Sequence, residues 1–188
     1  KVRRQTPCGV DVVRPQSLDG ATLFMQKGGA IVREYLFSDA EASYTAVPVS
    51  SLSSHLIKTP VEMNTLYGAI DRSESYVFIV NADCTMAVFN SNRGEQRAGW
   101  AEFTSQGKFH SCITVDDRVF ANVVFNTGAG TQKIHLCEFD STYNTDMSGT
   151  YTGTAGVFDV SADFANGAVV NVISGITMLA SLLLRLGM

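Results

Sequence analysis

Two His-x-Cys pairs are the residues whose types and spacing come closest to a metal site. His110 precedes Cys112, and His135 precedes Cys137. Alternate residues of a β-strand lie on one face, so each pair would present an imidazole and a thiol together, a ligand set suited to structural zinc. A strand predicted over residues 118–125 separates the two pairs, however, and next-nearest strands lie about 10 Å apart. Because that distance is too long for one tetrahedral ion or for a Cys112–Cys137 disulfide, we predict no metal site.

Carboxylates form two further patterns. Asp116 and Asp117 resemble a catalytic pair, but two polar residues between apolar runs are typical of a tight turn. Four oxygen-bearing side chains alternate farther along the chain as calcium ligands do: Asp140, Thr142, Asn144 and Asp146. Their segment lacks the central Gly and the terminal Glu of an EF-hand loop. We predict turns at both places, with calcium binding as the alternative at the second.

No catalytic motif emerges from the remaining residues. The sequence contains no G-x-S-x-G elbow, and no serine is placed beside a histidine and an acid. Gly128 and Gly130 do not form a phosphate loop, because no helix is predicted to follow them and to present its N-terminus. We therefore predict no catalytic residue and no cofactor.

A charged loop and the single tryptophan are the candidates for a protein interface. Arg93, Glu95 and Arg97 lie in the predicted loop 92–97, and loops on a rigid sheet often carry recognition. Trp100 follows in the predicted strand GWAEFT, where it is placed to anchor a neighbouring subunit. The alternatives are solvated charge for the loop and packing between repeated units for Trp100, and we favour the packing role for Trp100.

A pattern of apolar strands and turns recurs three times and must position all of these residues. The three units span residues 10–49, 61–105 and about 109–139. Their second strands open at equivalent positions: Ala21, Ser75 and Arg118. An internal repeat of roughly fifty residues is typical of propellers or arrays, which serve as scaffolds.

The second unit predicts four strands, at residues 61–67, 75–80, 85–90 and 99–104. A four-stranded antiparallel meander is the blade of a β-propeller. One helix is predicted between the first two units, over residues 50–57. Its N-cap would be Ser50 or Ser51, and Leu52 and Leu56 would share one face.

These patterns predict an all-β fold of antiparallel meander units: a partial β-propeller with about three blade-like repeats, plus a small C-terminal β segment. The blades occupy residues 8–139 (about 8–49, 61–105 and 109–139), and residues 140–156 form a polar linker. Residues 157–188 form the small β segment with an apolar tail. Residues 169–184 are uncharged, but they include several polar residues and fall short of the roughly 20 apolar residues of a membrane span.

The charge balance argues against a protein that binds nucleic acid tightly. The 188 residues are 45% hydrophobic and 17% charged, with a net charge of −4. Such a chain can bury the core of one domain, and its acidic balance would let DNA pass without adhering. Four cysteines form no C-x-x-C pair and no signal peptide is recognised, so we expect reduced thiols in a protein made in a cytoplasm. A start at Lys1 without Met indicates a fragment or a processed chain.

Several of these segments, taken in order, resemble a known family. CG and VRP open the series at Cys8, KGG and VREY follow in the first unit, VNADxT forms the predicted turn in the second, and a Trp-centred strand comes after the polar loop. Over residues 8 to about 139, the chain is similar to the tail nozzle proteins of short-tailed bacteriophages, also called tail tubular protein B.

The resemblance implies a structural protein of the virion. It implies a homo-oligomeric ring, a hexamer by analogy, with a propeller-like platform below the portal and adaptor, contacts with the adaptor and tail fibres, and a channel that DNA crosses without sequence-specific binding. It implies assembly in the host cytoplasm and no membrane binding. Family members are several times longer and usually have Gly where Cys84 stands here; a non-Gly residue is strained there if the turn needs a positive φ.

The sequence therefore predicts a non-enzymatic component of a phage tail, part of the genome-ejection channel. The leading alternative is a propeller-like binding module for a protein or glycan ligand, which clustered aromatic residues and carboxylates at one rim would favour. A hydrolase built on blades is the third reading, and it would require a convergent acid pair with shifted pKa values.

Overall fold

The protein is all-β, and its main strands form three antiparallel meanders in chain order. The structure, a computed structural model, describes residues 4, 6–69, 72–105, 107–126, 132–140, 159–160, 172–173 and 184–186. The first sheet contains β1 (Gln16–Leu18), β2 (Ala21–Met25), β3 (Val32–Ser38) and β4 (Ser43–Pro48). The second contains β5 (Pro60–Leu66), β6 (Ser75–Asn81), β7 (Met86–Asn92) and β8 (Arg97–Phe103). The third contains β9 (Lys108–Val115), β10 (Arg118–Asn126) and β11 (Gln132–Phe139), which confirms the predicted class of antiparallel meander units.

Three short strands follow the third meander. β12 (Asp159–Val160) and β13 (Val172–Ile173) pair antiparallel, and β14 (Leu184–Leu186) lies parallel to the end of β11. The last of these strands adds to the third sheet, whereas the sequence predicted an apolar tail there. Apart from residue 140, the predicted linker 140–156 lies outside the described residues, as does most of the uncharged stretch 169–184.

The first unit begins later than predicted. Val10 makes an isolated bridge to Gln26, and regular pairing of β1 with β2 begins only at Gln16. Asp11 N still donates a hydrogen bond to Met25 O at 2.9 Å, and residues 12–15 then leave the ladder. Pro15 has no N–H to donate and restricts the backbone of the residue before it. The first predicted unit, residues 10–49, therefore contains regular strand only from Gln16 onwards.

The predicted helix forms as a 3₁₀ helix (Ser51–Leu56) rather than an α-helix. The buried hydroxyl of Ser50 does not cap it, and instead accepts a hydrogen bond from Val32 N at 2.9 Å. A 3₁₀ helix has three residues per turn, so positions i and i+4 diverge. Leu52 is 97% exposed while Leu56 packs against the core, and the prediction that they share a face is wrong.

The hairpin turns repeat from the first sheet to the second. Gly29 in the β2–β3 turn and Cys84 in the β6–β7 turn have φ of 66° and 67°, and each donates its N–H to the first residue of its turn. Ala42 and Gln96 take equivalent left-handed conformations in the β3–β4 and β7–β8 turns. Because hydrogen bonds and backbone handedness coincide, the two sheets are copies of one structural unit.

The central strands of the second sheet, β6 and β7, are buried on both faces, whereas its outer strand β8 is largely exposed. Val77 and Ile79 of β6 face the first sheet, and Phe78 and Val80 face the third, because successive side chains of a strand alternate. The three sheets therefore stack in chain order over two hydrophobic cores. This stacking is compatible with that of neighbouring propeller blades.

Replacing Cys84 by Gly is expected to stabilise the protein. A φ of 67° costs an L-residue about 1–2 kcal/mol, and Gly removes that cost while adding about 0.5–1 kcal/mol of chain entropy. We expect the free energy of unfolding to rise by about 0.5–1 kcal/mol in urea denaturation. Cys84→Ala, which keeps the Cβ, should change nothing, and Gly29→Ala should destabilise. Equal gains from Cys84→Gly and Cys84→Ala would assign the effect to the thiol instead.

Candidate functional site

The innermost strands of the three sheets lie side by side and line a groove. β5 contacts β1 on one side and β9 on the other. The groove has a volume of about 500 Å³, and its polar lining consists of Arg14, Gln16, Glu62, Asn64 and His110. The inner strands of a propeller surround its central channel, and the position of this groove is compatible with that arrangement.

Most of these polar side chains hold the inner strands together. The Glu62 carboxylate accepts a hydrogen bond from Cys112 N at 3.0 Å, and the Asn64 amide donates one to Cys112 O at 2.7 Å. Gln16 donates to Met63 O at 2.7 Å. Since β1, β5 and β9 end their sheets on this side, the bonds satisfy backbone groups that a bare edge would leave unpaired. These residues were not among the predicted site residues, although the alternation of polar and apolar residues in VEMNTL is a signal for them.

The two His-x-Cys pairs do not converge. β10 lies between β9 and β11, with Cys112 and Cys137 aligned on opposite sides of Ala121. The register of β9 shifts at His110, an extra residue in the ladder that forms a β-bulge. His110 is consequently exposed at the groove while Cys112 is buried, so the prediction that these two share a face is wrong.

The other histidine of the pairs packs against an aromatic ring. His135 lies edge-on to Phe125, with ring centroids 5.6 Å apart. Within the part of the chain that the structure describes, no cluster of three or more His, Cys, Asp and Glu side chains is suited to a metal ion. None of the four cysteines, all of which lie in the described residues, takes part in a disulfide.

Burial controls the chemistry of the thiols. Removal from water, reinforced by the nearby Glu62 carboxylate, raises the pKa of the Cys112 thiol to about 12. Cys112 and Cys137 are buried, whereas Cys8 and Cys84 are half-buried. The thiolate is the reactive form of cysteine, so burial shields both residues from reagents, and the raised pKa of Cys112 protects that thiol further.

Thiol labelling of the native protein should distinguish these two classes. We expect iodoacetamide at neutral pH to modify Cys8 and Cys84 in the native chain and all four cysteines after denaturation, as read by peptide mass spectrometry. The folded state holds the Cys112 proton more tightly than the unfolded chain does. The contribution of the protonated Cys112 thiol to the free energy of unfolding is therefore complete below about pH 9, near the pKa of the thiol in the unfolded chain. It is lost as the pH rises towards 12, the pKa in the folded protein. Rapid native labelling of Cys112 would contradict the packing.

Asp116 and Asp117, the first of the two carboxylate patterns, form a hairpin turn. Asp116 and Asp117 have φ of 46° and 61° and join paired residues Val115 and Arg118, which defines a two-residue type I′ turn. Asp117 also lies 4.0 Å from an Arg72 guanidinium nitrogen. Residues 141–146 of the predicted calcium pattern, and Gly128 and Gly130, lie outside the described residues.

One residue of the charged loop joins two sheets, and the other two are exposed to solvent. Arg93 forms an ion pair with Glu34 of β3 and lies 4.0 Å from Asp19 Oδ2 in the β1–β2 turn, so it joins the second sheet to the first. Glu95 and Arg97 pair with each other at 3.0 Å and are exposed. Of the loop residues proposed for an interface, Glu95 and Arg97 are thus the ones presented to solvent.

Trp100 lies between the first two sheets. Its indole N–H donates a hydrogen bond to Val49 O at 2.9 Å, and its ring centroid lies 4.8 Å from that of Phe89. It packs against the core that the first two sheets share. This is the packing position that the sequence analysis favoured over an exposed anchor.

A second groove lies on the face of the second sheet, beside the core shared with the third. Its volume is about 490 Å³, and its lining combines aromatic, amide and charged side chains, including Tyr76, Phe103, Asn90, Asn92 and Glu74. Sequence reasoning did not identify it. The signal for it is the pair of small residues Gly99 and Ala101 on β8, which leave the face open.

The geometry defines the class of the protein: an all-β chain of stacked antiparallel meander sheets with a polar groove along their inner strands. No protein-family model matches the chain, and no curated protein matches it significantly. Over the described residues, no helix has both the length and the apolar character needed to cross a bilayer.

Proposed function

We propose that this protein is a structural component of a bacteriophage tail, part of the nozzle or tail tube that forms the genome-ejection channel. The proposal assigns it no catalytic activity and no cofactor. The observation that carries it is the stack of three meander sheets, in which strands β6 and β7 of the second sheet are buried on both faces. Closely packed interiors have low compressibility, so continuous cores suit a wall that must keep its shape while DNA passes.

The segments that resemble tail nozzle proteins coincide with repeated structural positions, which supports this proposal. VREY lies in β3, and KGG forms the β2–β3 turn, where Gly28 and Gly29 have φ of 107° and 66°. VNADCT forms the equivalent turn of the second sheet, with Cys84 in the left-handed conformation where the family usually has Gly. KGG and VNADCT thus lie in the turns of the first two sheets, where the backbone needs a residue with positive φ.

In this proposal, copies assemble as a homo-oligomeric ring that contacts the adaptor and tail fibres. Blade edges and loops, such as the one that presents Glu95 and Arg97, supply the contacts. The net charge of −4 limits adhesion of DNA, because affinity for the phosphate backbone depends on Lys and Arg. The protein is made in the host cytoplasm and resides in the virion.

Localisation in viral particles tests the proposal. Antibodies raised against the purified chain should label one vertex, at the tail, of gradient-purified particles of the virus that encodes it. Antibodies against the capsid should label the whole shell in the same preparation, and mass spectrometry of the particles should detect the peptides of this chain. Detection in the infected-cell lysate but not in the particles would overturn the proposed role.

A binding module for a protein or glycan is the second candidate, and the groove along the inner strands favours it. His110 is exposed at that groove. A screen of the purified chain against glycans and extended peptides would support this candidate if a ligand bound and if His110→Ala weakened its binding while Leu52→Ala, on the exposed 3₁₀ helix, did not. Equal binding of a ligand to both variants would show that its site lies outside the groove along the inner strands.

A further inference from the structure

The groove on the face of the second sheet has a floor of small residues. Cross-strand partners share a face, so the registers of β6, β7 and β8 determine which side chains meet there. Gly99 and Ala101 of β8 are exposed, and a Cβ placed on Gly99 would meet nothing within 4 Å. The floor follows β8 (Arg97–Phe103), which is roughly 20 Å of extended strand. The groove is therefore long and open to solvent.

Two half-buried aromatic rings line this groove, and the core holds both of them in place. The ring centroids of Tyr76 and Phe103 each lie 6.3 Å from that of Phe78, which is fully buried. Both rings pack against the core shared with the third sheet, yet both retain exposed surface in the groove. The faces of aromatic rings carry partial negative charge. They therefore suit a ligand with C–H groups on a flat face, such as a sugar ring.

Three polar groups of the groove have no hydrogen-bond partner among the described residues: the Asn90 amide, the Glu74 carboxylate and the Tyr76 hydroxyl. Asn90 is the cross-strand partner of both Tyr76 and Gly99, so it lies between them. Half-buried polar groups need water or a ligand as partners. An amide and a hydroxyl both donate and accept, whereas a carboxylate only accepts. Sugar hydroxyls, which donate and accept, satisfy all three groups.

The charges of the groove oppose an anionic ligand. Arg97 is already paired with Glu95 at 3.0 Å, so a carboxylate compensates its guanidinium. Glu74 adds a negative charge that has no ion-pair partner among the described residues. A phosphate group or a uronic acid would be repelled by this carboxylate. The groove therefore favours a neutral ligand over a nucleotide or an acidic glycan.

We propose that the groove on the second sheet binds a neutral oligosaccharide. One sugar ring stacks on Tyr76 and another on Phe103, and their hydroxyls bond to Asn90 and Glu74. The volume of about 490 Å³ falls within the roughly 300–1,000 Å³ of small-ligand sites, and the length of β8 accommodates several linked rings. The proposal is for binding alone, because the lining contains one carboxylate, whereas glycoside hydrolysis usually requires two.

This inference goes beyond the proposed tail role and does not depend on it. The groove belongs to a single chain, so the inference is the same for any number of copies in a ring. Labelling of viral particles tests the role, whereas binding by the purified chain tests the groove, so either can fail alone. The site is also distinct from the groove along the inner strands, where His110 lies.

Saturation-transfer difference NMR with the purified chain tests the proposal. The neutral probes are cellohexaose, maltohexaose and chitohexaose, the acidic probe is hexagalacturonate, and the nucleotide probe is adenosine diphosphate. We expect transfer to at least one neutral probe at millimolar concentration and none to the acidic probe or the nucleotide. Absence of transfer to all the neutral probes would overturn the proposal. Stronger binding of the acidic probe or of the nucleotide would overturn it as well.

Two variants in the groove and two controls locate the binding. Gly99→Phe fills the floor, so we expect affinity to fall at least roughly tenfold while circular dichroism shows a folded chain. Asn90→Ala removes an amide that bonds to no described residue, so affinity should fall roughly two- to tenfold with an unchanged unfolding midpoint. Asn122→Ala on the third sheet and His110→Ala in the other groove should bind as the wild type does. Equal binding by Gly99→Phe and the wild type would overturn the proposal, and so would a loss confined to His110→Ala.

Discussion

Phe78→Ala should lower the free energy of unfolding by about 3–5 kcal/mol, because it empties the centre of the core between the second and third sheets. Phe78 is fully buried. Its ring centroid lies 6.3 Å from that of Phe103 on β8 and 5.8 Å from that of Phe139 on β11. The side chain therefore joins two strands of its own sheet to the next sheet, and its loss removes contacts on both sides.

Urea denaturation followed by fluorescence and circular dichroism measures this effect. A loss of that size approaches the whole stability of many domains, about 5–15 kcal/mol, so Phe78→Leu serves as the milder variant. We expect Phe78→Leu to cost under about 2 kcal/mol, since it retains most of the buried volume. The matched surface control is Leu52→Ala, which should change stability by less than about 0.5 kcal/mol. A similarly small cost for Phe78→Ala would contradict a core that is continuous across the two sheets.

Asn81→Ala should cost about 2–4 kcal/mol through unsatisfied hydrogen bonds rather than lost packing. Asn81 ends β6 and is 1% exposed. Its Oδ1 accepts a hydrogen bond from Lys58 N at 2.9 Å, and its amide donates to Leu56 O at 2.9 Å and to Thr85 Oγ1 at 3.0 Å. Removal of the side chain leaves Leu56 O and Lys58 N, at the end of the 3₁₀ helix, without these hydrogen-bond partners. It also removes the hydrogen bond to Thr85 in the β6–β7 turn.

The test compares Asn81 with an exposed asparagine. Asn122→Ala removes only a hydrogen bond to Ser111 Oγ at the surface and should change stability by less than about 0.5 kcal/mol. Asn81→Asp keeps the acceptor for Lys58 N but turns a carboxylate oxygen towards Leu56 O, so it should destabilise nearly as much as Asn81→Ala. Equal, small effects at Asn81 and Asn122 in thermal and urea unfolding would show that the buried amide does not hold the segment between the first two sheets.

Alternation and turn chemistry were readable from the sequence. Runs such as SYVFIV predict strands by their β-branched and aromatic residues, and the structure places β6 over that run. The Asp116–Asp117 turn was readable for the same reason, because two adjacent polar residues between apolar runs match a two-residue hairpin. Local signals of this kind act between residues that are neighbours in the chain, so no long-range contact had to be known.

The sequence-based predictions failed where a contact with another strand or sheet overrides the local preference of a residue. Ser50 is a good N-cap by type, but its hydroxyl binds Val32 N of the first sheet instead. His110 and Cys112 have the spacing of one strand face, but the bulge in β9 separates them. Arg93 reads as a surface loop charge, yet it pairs with Glu34 and thus joins two sheets.

A series of antiparallel meanders was predictable from the sequence, because strand periodicity and turn residues are properties of short segments. The burial of β6 and β7 on both faces, and the hydrogen bonds of Glu62 and Asn64 to the backbone of β9, become visible only in the folded chain. The physical reason is that these features join residues about fifty positions apart, and alternation within a strand specifies which residues share a face but not which other face they meet.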